Sequence, residues 1–487
     1  MAQKAILAID EGTTNSKAVL VSEAGEILAS GSAPVPIEHP RSGWVQQDAA
    51  EIWAATKRAI ATCLDAAPGV SIVALGVSNQ RESVLLWDRK TGAPLGPVIT
   101  WQCRRTSASC EALKKAGHEP NVIARTGLPI DPLFPPTKAA WLLQNHGDAS
   151  SDICFGTVDS WLIWNFSGGA VHATDRSNAS RTQLLNLADG RWDETLCDLF
   201  GVPAGILPEV RDSAHVFGAT RNTGVLPDGI PIASAIGDSH AALFGHGAFR
   251  KGDGKVTFGT GSSVMTTIPK FMVPPKGITT TIAWSLNGVP TYAFEGNILV
   301  SASVLPWTAD MLGLDGVEAL LDLARSVEDT AGVFLVPAHV GLGSPHWNSE
   351  ARGLICGLSF GSKPAHLARA AAESLAFQVA DVYAIMAHAA EGIGRLFVDG
   401  GPSRNRFLMQ LVADTIDHPV TPCRAPEASA VGAAHLAGLA TGFWPDIDAV
   451  ARLADHDALI APGLSQEARE SGLSAWRTAI ARTTLEV

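Results

Sequence analysis

The first apolar run, Ala5–Ile9, ends at Asp10, and a Gly12-Thr13-Thr14 turn separates it from a second run, Ala18–Val21. Short continuous apolar stretches bounded by turn residues predict buried strands, here joined as a hairpin. "IVALGVSNQ" and "SVLLWDR" continue in the same strand vocabulary. Ahead of them, "DAAEIWAATKRAIATCLDAA" changes period. Its apolar positions Ile52, Trp53, Ala55, Ile60 and Leu64 share one helical face, and Asp48 stands where an N-cap belongs. Strands first, then strand and helix in alternation, predict a mixed sheet covered by helices, an α/β fold.

The pattern then restarts. "GKVTFGTGSSVMTTIP" repeats the opening phrase: an apolar strand, a Gly-Thr-Gly turn, small hydroxyls and a second strand. Strands are expected at 255–268 and 280–294, helices near 302–313 and 364–391, a strand at "RLFVDGG" and a helix at "SRNRFLMQLVADTI". The glycine-rich polar stretch "GHGAFRKGDG" marks a boundary at 245–253, dividing the chain into residues 1–248 and 249–487. A length of 487 residues at 46% hydrophobic content also exceeds what one core usually absorbs.

Charge narrows the partners. A net charge of -12 without any basic run argues against a nucleic-acid or anionic-membrane surface, because phosphate backbones are held by dense Lys and Arg. The 7 cysteines are an odd number without a CxxC pair, which suits reduced thiols and a cytoplasmic protein. No stretch approaches the ~18 apolar residues of a membrane span, and the apolar run before Asp10 is too short for a signal peptide's core.

A turn of Gly and Thr lets backbone N–H groups converge, and its hydroxyls add donors, so each turn suits either an ordinary hairpin or a cradle for phosphate oxygens. Two matched turns opening two similar halves favour the cradle, since facing hairpins hold a triphosphate from both sides. Asp10, closing the first strand, fits a turn cap or a carboxylate that orients Mg²⁺ beside those phosphates. A P-loop is excluded, because Val256 in "GDGKV" stands where Ser or Thr must meet the metal. The third element, "VDGGPSRN", runs a strand through Asp-Gly-Gly into a helix. It fits a plain strand-to-helix turn, or a surface on which a base and ribose lie, with Asn405 as a polar contact.

Together these elements resemble the nucleotide site of the sugar kinase, Hsp70 and actin superfamily. "IDEGTTNSK", "GWVQQDAAEIW", "GVSNQRESVLLWD", "TWQCRRT", "TGLPIDPLFPPTKAAWLL", "GDSHAALFG", "FGTGSSVM", "YAFEG", "FLVPAHVGLGSPHWNSEARGLICGLSF", "LARAAAESLAFQ" and "FVDGGPSRNRFLMQLVADTI" follow in collinear order over almost the whole chain. They are similar to the FGGY carbohydrate kinase family, nearest its glycerol kinase branch. The resemblance implies two ribonuclease-H-like domains around a cleft, ATP with Mg²⁺ as cofactor and a homodimer. It also implies roles. Asp238 would be the base; Arg81, Glu82 and Trp101 would line the substrate pocket. Thr13, Thr14 and Lys17 would face phosphates beside Asp10. Thr260 and Gly261 would embrace the phosphate tail, and Gly400, Gly401 and Asn405 would hold adenosine. Without the family, a surface ion pair for Arg81 and Glu82 and a core ring for Trp101 are the favoured readings. Two adjacent residues in a strand face opposite ways, so Arg81 and Glu82 can meet one ligand only from a loop.

Three positions depart from the glycerol kinase pattern: Leu133 replaces Tyr, Ser263 replaces Phe and Ser239 replaces Gln. Each removes bulk, aromatic surface or reach, and a lost apolar wall forfeits ~1–3 kcal/mol of discrimination. The expected activity is therefore ATP-dependent phosphorylation of a small sugar or polyol, a C4–C5 ketose or alditol ahead of glycerol. The rivals are a true glycerol kinase and, from another class, an actin- or Hsp70-like ATPase, which would share both hairpins without needing "NQRE", "WQCRR" or "GDSHAA".

Overall fold

The computed structural model describes residues 3–147, 152–424 and 427–484. The first half is built on strands β1 (Lys4–Glu11), β2 (Asn15–Ser22) and β3 (Ile27–Pro34), helix α1 (Ala49–Ala66), β4 (Ser71–Asn79), β5 (Ala214–Ala219), β6 (Pro231–Gly237) and helix α2 (Asp238–Gly245). The strands form one sheet in the order β5-β6-β4-β1-β2-β3. β1, β2 and β3 are antiparallel neighbours, whereas β4 runs parallel to β1 and to β6.

The second half uses β7 (Gly254–Phe258), β8 (Ser262–Ile268), β9 (Thr279–Leu286), β10 (Val289–Ile298), α3 (Pro364–Ala389), β11 (Leu396–Gly400), α4 (Arg406–Ile416), β12 (Val420–Pro422) and α5 (Ala428–Thr441). Its sheet order is β9-β10-β8-β7-β11-β12. β10, β8 and β7 are antiparallel neighbours, and β11 runs parallel to β7 and to β12. The run β3-β2-β1-β4-β6 thus recurs as β10-β8-β7-β11-β12, and the two similar sequence phrases are the hairpins β1–β2 and β7–β8.

The expected elements differ in detail. Asp48 does cap α1, its Oδ1 accepting from the N–H groups of Ala50 (2.7 Å) and Glu51 (3.3 Å). The buried stripe, however, runs through Ala49, Ile52, Ala55, Thr56, Ala59, Ile60 and Cys63, leaving Trp53 and Leu64 half-buried. Alanine on that face brings α1 so close to β2 and β3 that large side chains fit only at its margins. The helix expected from Ser403 starts at Arg406, because Gly401–Arg404 form a single tighter turn.

α2 and α5 follow the last strands of their sheets, and each crosses toward the other half. α5 lies against β1, β4 and β6, α2 touches strands of both sheets, and the two helices pack together. Gly432 makes this possible: a Cβ there would stand 1.9 Å from the Ala241 carbonyl oxygen. Apolar residues of both sheets, including Ile6, Ala74, Met265 and Phe397, join the helices in one buried core between the halves. A smaller sheet of Gln46–Gln47, Val84–Asp88, Val98–Ile99 and Ile153–Thr157 stands beside the first and carries the segments with Trp101 and Leu133. All 7 cysteines are free thiols, and among the described residues no helix is long and apolar enough to cross a membrane.

Candidate active site

In parallel sheets, ligands sit at the carboxyl ends of the strands, where side chains from neighbouring strands converge. In the first sheet Asp10 is level with Ser78, and Ser78 with Ile236, so β1, β4 and β6 deliver Asp10, Arg81 and Asp238 to one edge. Ser78 Oγ donates to Asp10 Oδ1 (2.9 Å). Burial, and then the charge of Asp238, push the Asp10 carboxyl up to about 6. A dication nearby would reverse that shift.

The chain turns sharply after β4. Glu82 adopts φ 62°, a left-handed conformation rare for a residue with a side chain, and this supplies the loop that Arg81 and Glu82 need in order to face one place. Arg81 Nε lies 3.2 Å from Asp238 Oδ1, and its terminal nitrogens bind Glu295 at 2.7 and 3.0 Å. Arg181 then joins Glu82 (2.6 Å) to Glu295 (2.8 Å). Burial opposes the Glu295 charge, but Arg181 and Arg81 outweigh it and hold that carboxyl well below the usual range. Asp238 is pushed the other way by burial, with Arg81 partly compensating. It is partly exposed, whereas Glu82 and Glu295 are buried.

Trp101 is tied to the first turn, its indole Nε1 donating to Thr13 Oγ1 (2.9 Å). Thr14 is exposed beside it. Lys17, opposite Asp10 in the hairpin, reaches Glu427 of the second half at 2.9 Å. Leu133 and Ser263 are half-buried, and Ser239 Oγ stands 3.0 Å from Ser263 Oγ. The fully buried Lys138 ammonium donates to the carbonyls of Glu82 (2.7 Å), Thr100 (3.3 Å) and Leu133 (2.7 Å), beneath three pocket segments at once. Burial pushes it down to about 7.

On the opposite wall, the carbonyls of Gly259, Thr260 and Gly261 are all engaged, the first two by the 301–303 segment and the last within the turn, which leaves Thr260 exposed toward solvent. Beyond it a cleft of about 340 Å³ is lined by Gly400, Gly401, Ser403, Arg404, Arg424 and Asp457. Gly400 has φ +89°, and a Cβ there would lie 2.0 Å from the Phe258 carbonyl oxygen, so only glycine fits. Asn405 is not among the lining residues. It caps α4, Oδ1 accepting from Phe407 (3.1 Å) and Leu408 (3.3 Å).

The model of the FGGY carbohydrate kinase N-terminal domain matches residues 5–245, and that of the C-terminal domain residues 254–441. The chain belongs to the FGGY family of carbohydrate kinases. It is 45% identical to an apulose kinase of Pectobacterium atrosepticum and 43% identical to a glycerol kinase of Paraburkholderia phytofirmans, each time over 99% of this chain and 98% of the relative. A Plasmodium falciparum glycerol kinase, solved with ADP, superposes with TM-score 0.94 at 30% identity, over 100% of this chain and 99% of that one. The protein is an ATP-dependent sugar or polyol phosphotransferase with two ribonuclease-H-like halves, as its motifs implied.

The site also holds buried charges to which the motifs gave no role. Arg181 in "NASRTQLL", Glu295 in "YAFEG", Lys255 in "GKVTF" and Lys138 in "PPTKAAW" are lone charges inside apolar or small-residue runs. That was the available signal, because such residues are buried only when paired. Among the described residues no cluster of three or more His, Cys, Asp or Glu could hold a metal unaided.

Proposed function

We propose that the kinase phosphorylates a hydroxyl of a C4–C5 ketose or alditol, with Asp238 as base. The observation that carries this reading is the Ser239–Ser263 pair at 3.0 Å beside Asp238, small and hydrophilic where the glycerol kinase pattern has Gln and Phe. With Leu133 in place of an aromatic ring, the pocket suits a longer polyhydroxyl chain. The relative named apulose kinase favours the same reading; the relatives named glycerol kinase favour the alternative, glycerol itself.

Phosphoryl transfer needs in-line positioning and charge neutralisation more than covalent help. Arg81 and Glu82 would orient the sugar so that its hydroxyl meets the Asp238 carboxylate, which takes the proton as the oxygen attacks the γ-phosphorus. Arg81, already held by Glu295, keeps Asp238 aimed. Thr13, Thr14 and Lys17 would contact phosphates from one side and Thr260 with Gly261 from the other. Gly400 and Gly401 would bear the adenosine, to which Asn405 can offer only its Nδ2 group. Mg²⁺ brought with ATP would supply charge neutralisation at the phosphates, and Asp10 would orient it. The unpaired thiols and the 1–248/249–487 division fit a cytoplasmic enzyme of two lobes.

The test is ADP release with glycerol, erythritol, erythrulose, xylulose, ribulose, apulose and the pentitols at fixed ATP. A C4 or C5 compound should lead in kcat/KM, and Leu133→Tyr with Ser263→Phe should move the preference toward glycerol by ~10- to 200-fold. If glycerol leads in the wild type, the alternative replaces this reading.

A further inference from the structure

Lys255 lies on β7 with its side chain wholly buried, and its Nζ donates to two neutral hydroxyls, Ser239 Oγ (2.9 Å) and Thr257 Oγ1 (2.6 Å). Hydroxyls compensate a buried ammonium poorly, so a charge kept there points to use. Burial pushes the Lys255 ammonium down and the Arg81 charge adds to that, while the carboxylates of Asp399, Glu295 and Asp238 act the other way and favour its charge.

Hydrogen-bond directions follow from the partners. An ammonium only donates, so Lys255 occupies a lone pair of Ser239. Ser263 Oγ is 3.4 Å from Glu295 Oε1, and a carboxylate only accepts, so the Ser263 proton is drawn there. The Ser239 O–H is thus the proton left to donate, to Ser263 Oγ (3.0 Å) or Met265 Sδ (3.6 Å) here and to a ligand oxygen when one is present, and the charge behind it strengthens it as a donor.

Donors are otherwise scarce in this pocket. Asp238, Glu82 and Glu295 accept. Arg81 turns Nε and one N–H of each terminal nitrogen to Asp238 and Glu295, Arg181 is held by Glu82 and Glu295 through Nε and Nη1, and the Trp101 indole is held by Thr13, so the N–H groups that remain sit on guanidinium groups already committed to carboxylates. A ketone oxygen can only accept; the carbinol at the same carbon of an alditol also donates, and finds carboxylates already in place.

We propose that Ser239, polarised by Lys255, is a carbonyl-recognition site that makes the enzyme select ketoses over alditols of equal length. The inference rests on the sugar lying beside Asp238 as proposed above, and it chooses between the two substrate classes left open there. Ser239 would touch the substrate; Lys255 is a positioning residue acting through it.

The experiment compares kcat/KM within the pairs dihydroxyacetone and glycerol, erythrulose and erythritol, ribulose and ribitol, in the wild type, Ser239→Ala and Lys255→Met. The readout is the ketose-to-alditol ratio, which a general loss of folded enzyme leaves unmoved. The wild type should favour the ketose by ~10- to 100-fold, the worth of a hydrogen bond to a charge-assisted donor. Ser239→Ala should bring the ratio to within ~3-fold of unity, and Lys255→Met should lower it part-way. If Lys255→Met does not fold, the half-buried Ser239→Ala decides alone. An alditol used as well as its ketose, or a ratio that survives Ser239→Ala, overturns the inference and leaves the kinase reading standing. No ADP release with any of the six compounds or with any other member of the panel above overturns both.

Discussion

On the hairpin of the first sheet, the two rungs nearest the turn pair Glu11 with Ser16 and Asp10 with Lys17; on its counterpart they pair Phe258 with Ser262 and Thr257 with Ser263. The crossing helices differ in parallel fashion. α2 opens on Asp238, gripped by Arg81 at 3.2 Å, and α5 opens just after Glu427, gripped by Lys17 at 2.9 Å. One backbone plan was used twice, but the charged rung was kept only once. On the proposed reading, repetition suits a phosphate cradle, since backbone N–H groups would attract phosphate on either side. It does not suit the carboxylate, because a second one facing the triphosphate would add repulsion without a second metal to answer it.

The sharpest way to break this comparison is to neutralise the two helix-start carboxylates. Asp238→Asn should lower kcat by ~100-fold or more with ATP binding near wild type, as loss of a general base does. Glu427→Gln removes only a partly exposed ion pair, worth ~1 kcal/mol or less, and should stay within ~3-fold in steady-state kinetics. Equal losses would erase the distinction. Next in size is Asp10→Asn, which removes the charge the second hairpin lacks. Losing that one carboxylate should raise the Mg²⁺ concentration for half-maximal activity by ~10-fold; an unchanged titration removes Asp10 from the metal's surroundings.

Glu11 tests the innermost rung, where the second hairpin has buried Phe258. Burial pushes the Glu11 carboxyl from 4.5 up to about 8, and its Oε1 has no hydrogen-bond partner. The folded state therefore binds this proton more tightly than the unfolded chain. Between pH 4.5 and 8 stability should fall as pH rises, by at most ~1.4 kcal/mol per unit from this group. Glu11→Gln should flatten that fall, so that the two melting curves diverge from pH 5 to pH 8; parallel curves would contradict it. The smallest effect belongs to Lys17→Met, expected to change stability by less than ~1 kcal/mol in denaturant titrations while raising the KM for ATP. A larger stability loss would make Lys17 a strut between the halves instead of a phosphate contact.

Much of the fold was legible because its signals are local. The apolar runs of β1 and β7, the Gly-Thr turns and the Asp48 cap each depend on a few consecutive residues, and the doubled phrase exposed the duplication. The charge network was not legible, since its partners are remote: Arg181 lies 99 residues from Glu82, and Arg81 lies 214 from Glu295. The crossing of α5 onto the first sheet was equally hidden. Its near-uniform apolar sequence says that it is buried, but not against which sheet.

By itself the sequence determined the two Gly-Thr hairpins, the carboxylates beside them and the small residues Ser239 and Ser263, because strand alternation and turn chemistry are settled within a hairpin. Only the tertiary structure decided what each charge does. Asp10 is pushed up to about 6 while Glu295, more deeply buried, is held ionised. The difference lies in neighbours brought from distant parts of the chain, a like charge for one and two guanidinium groups for the other, and a carboxyl's proton affinity follows the field at its final position.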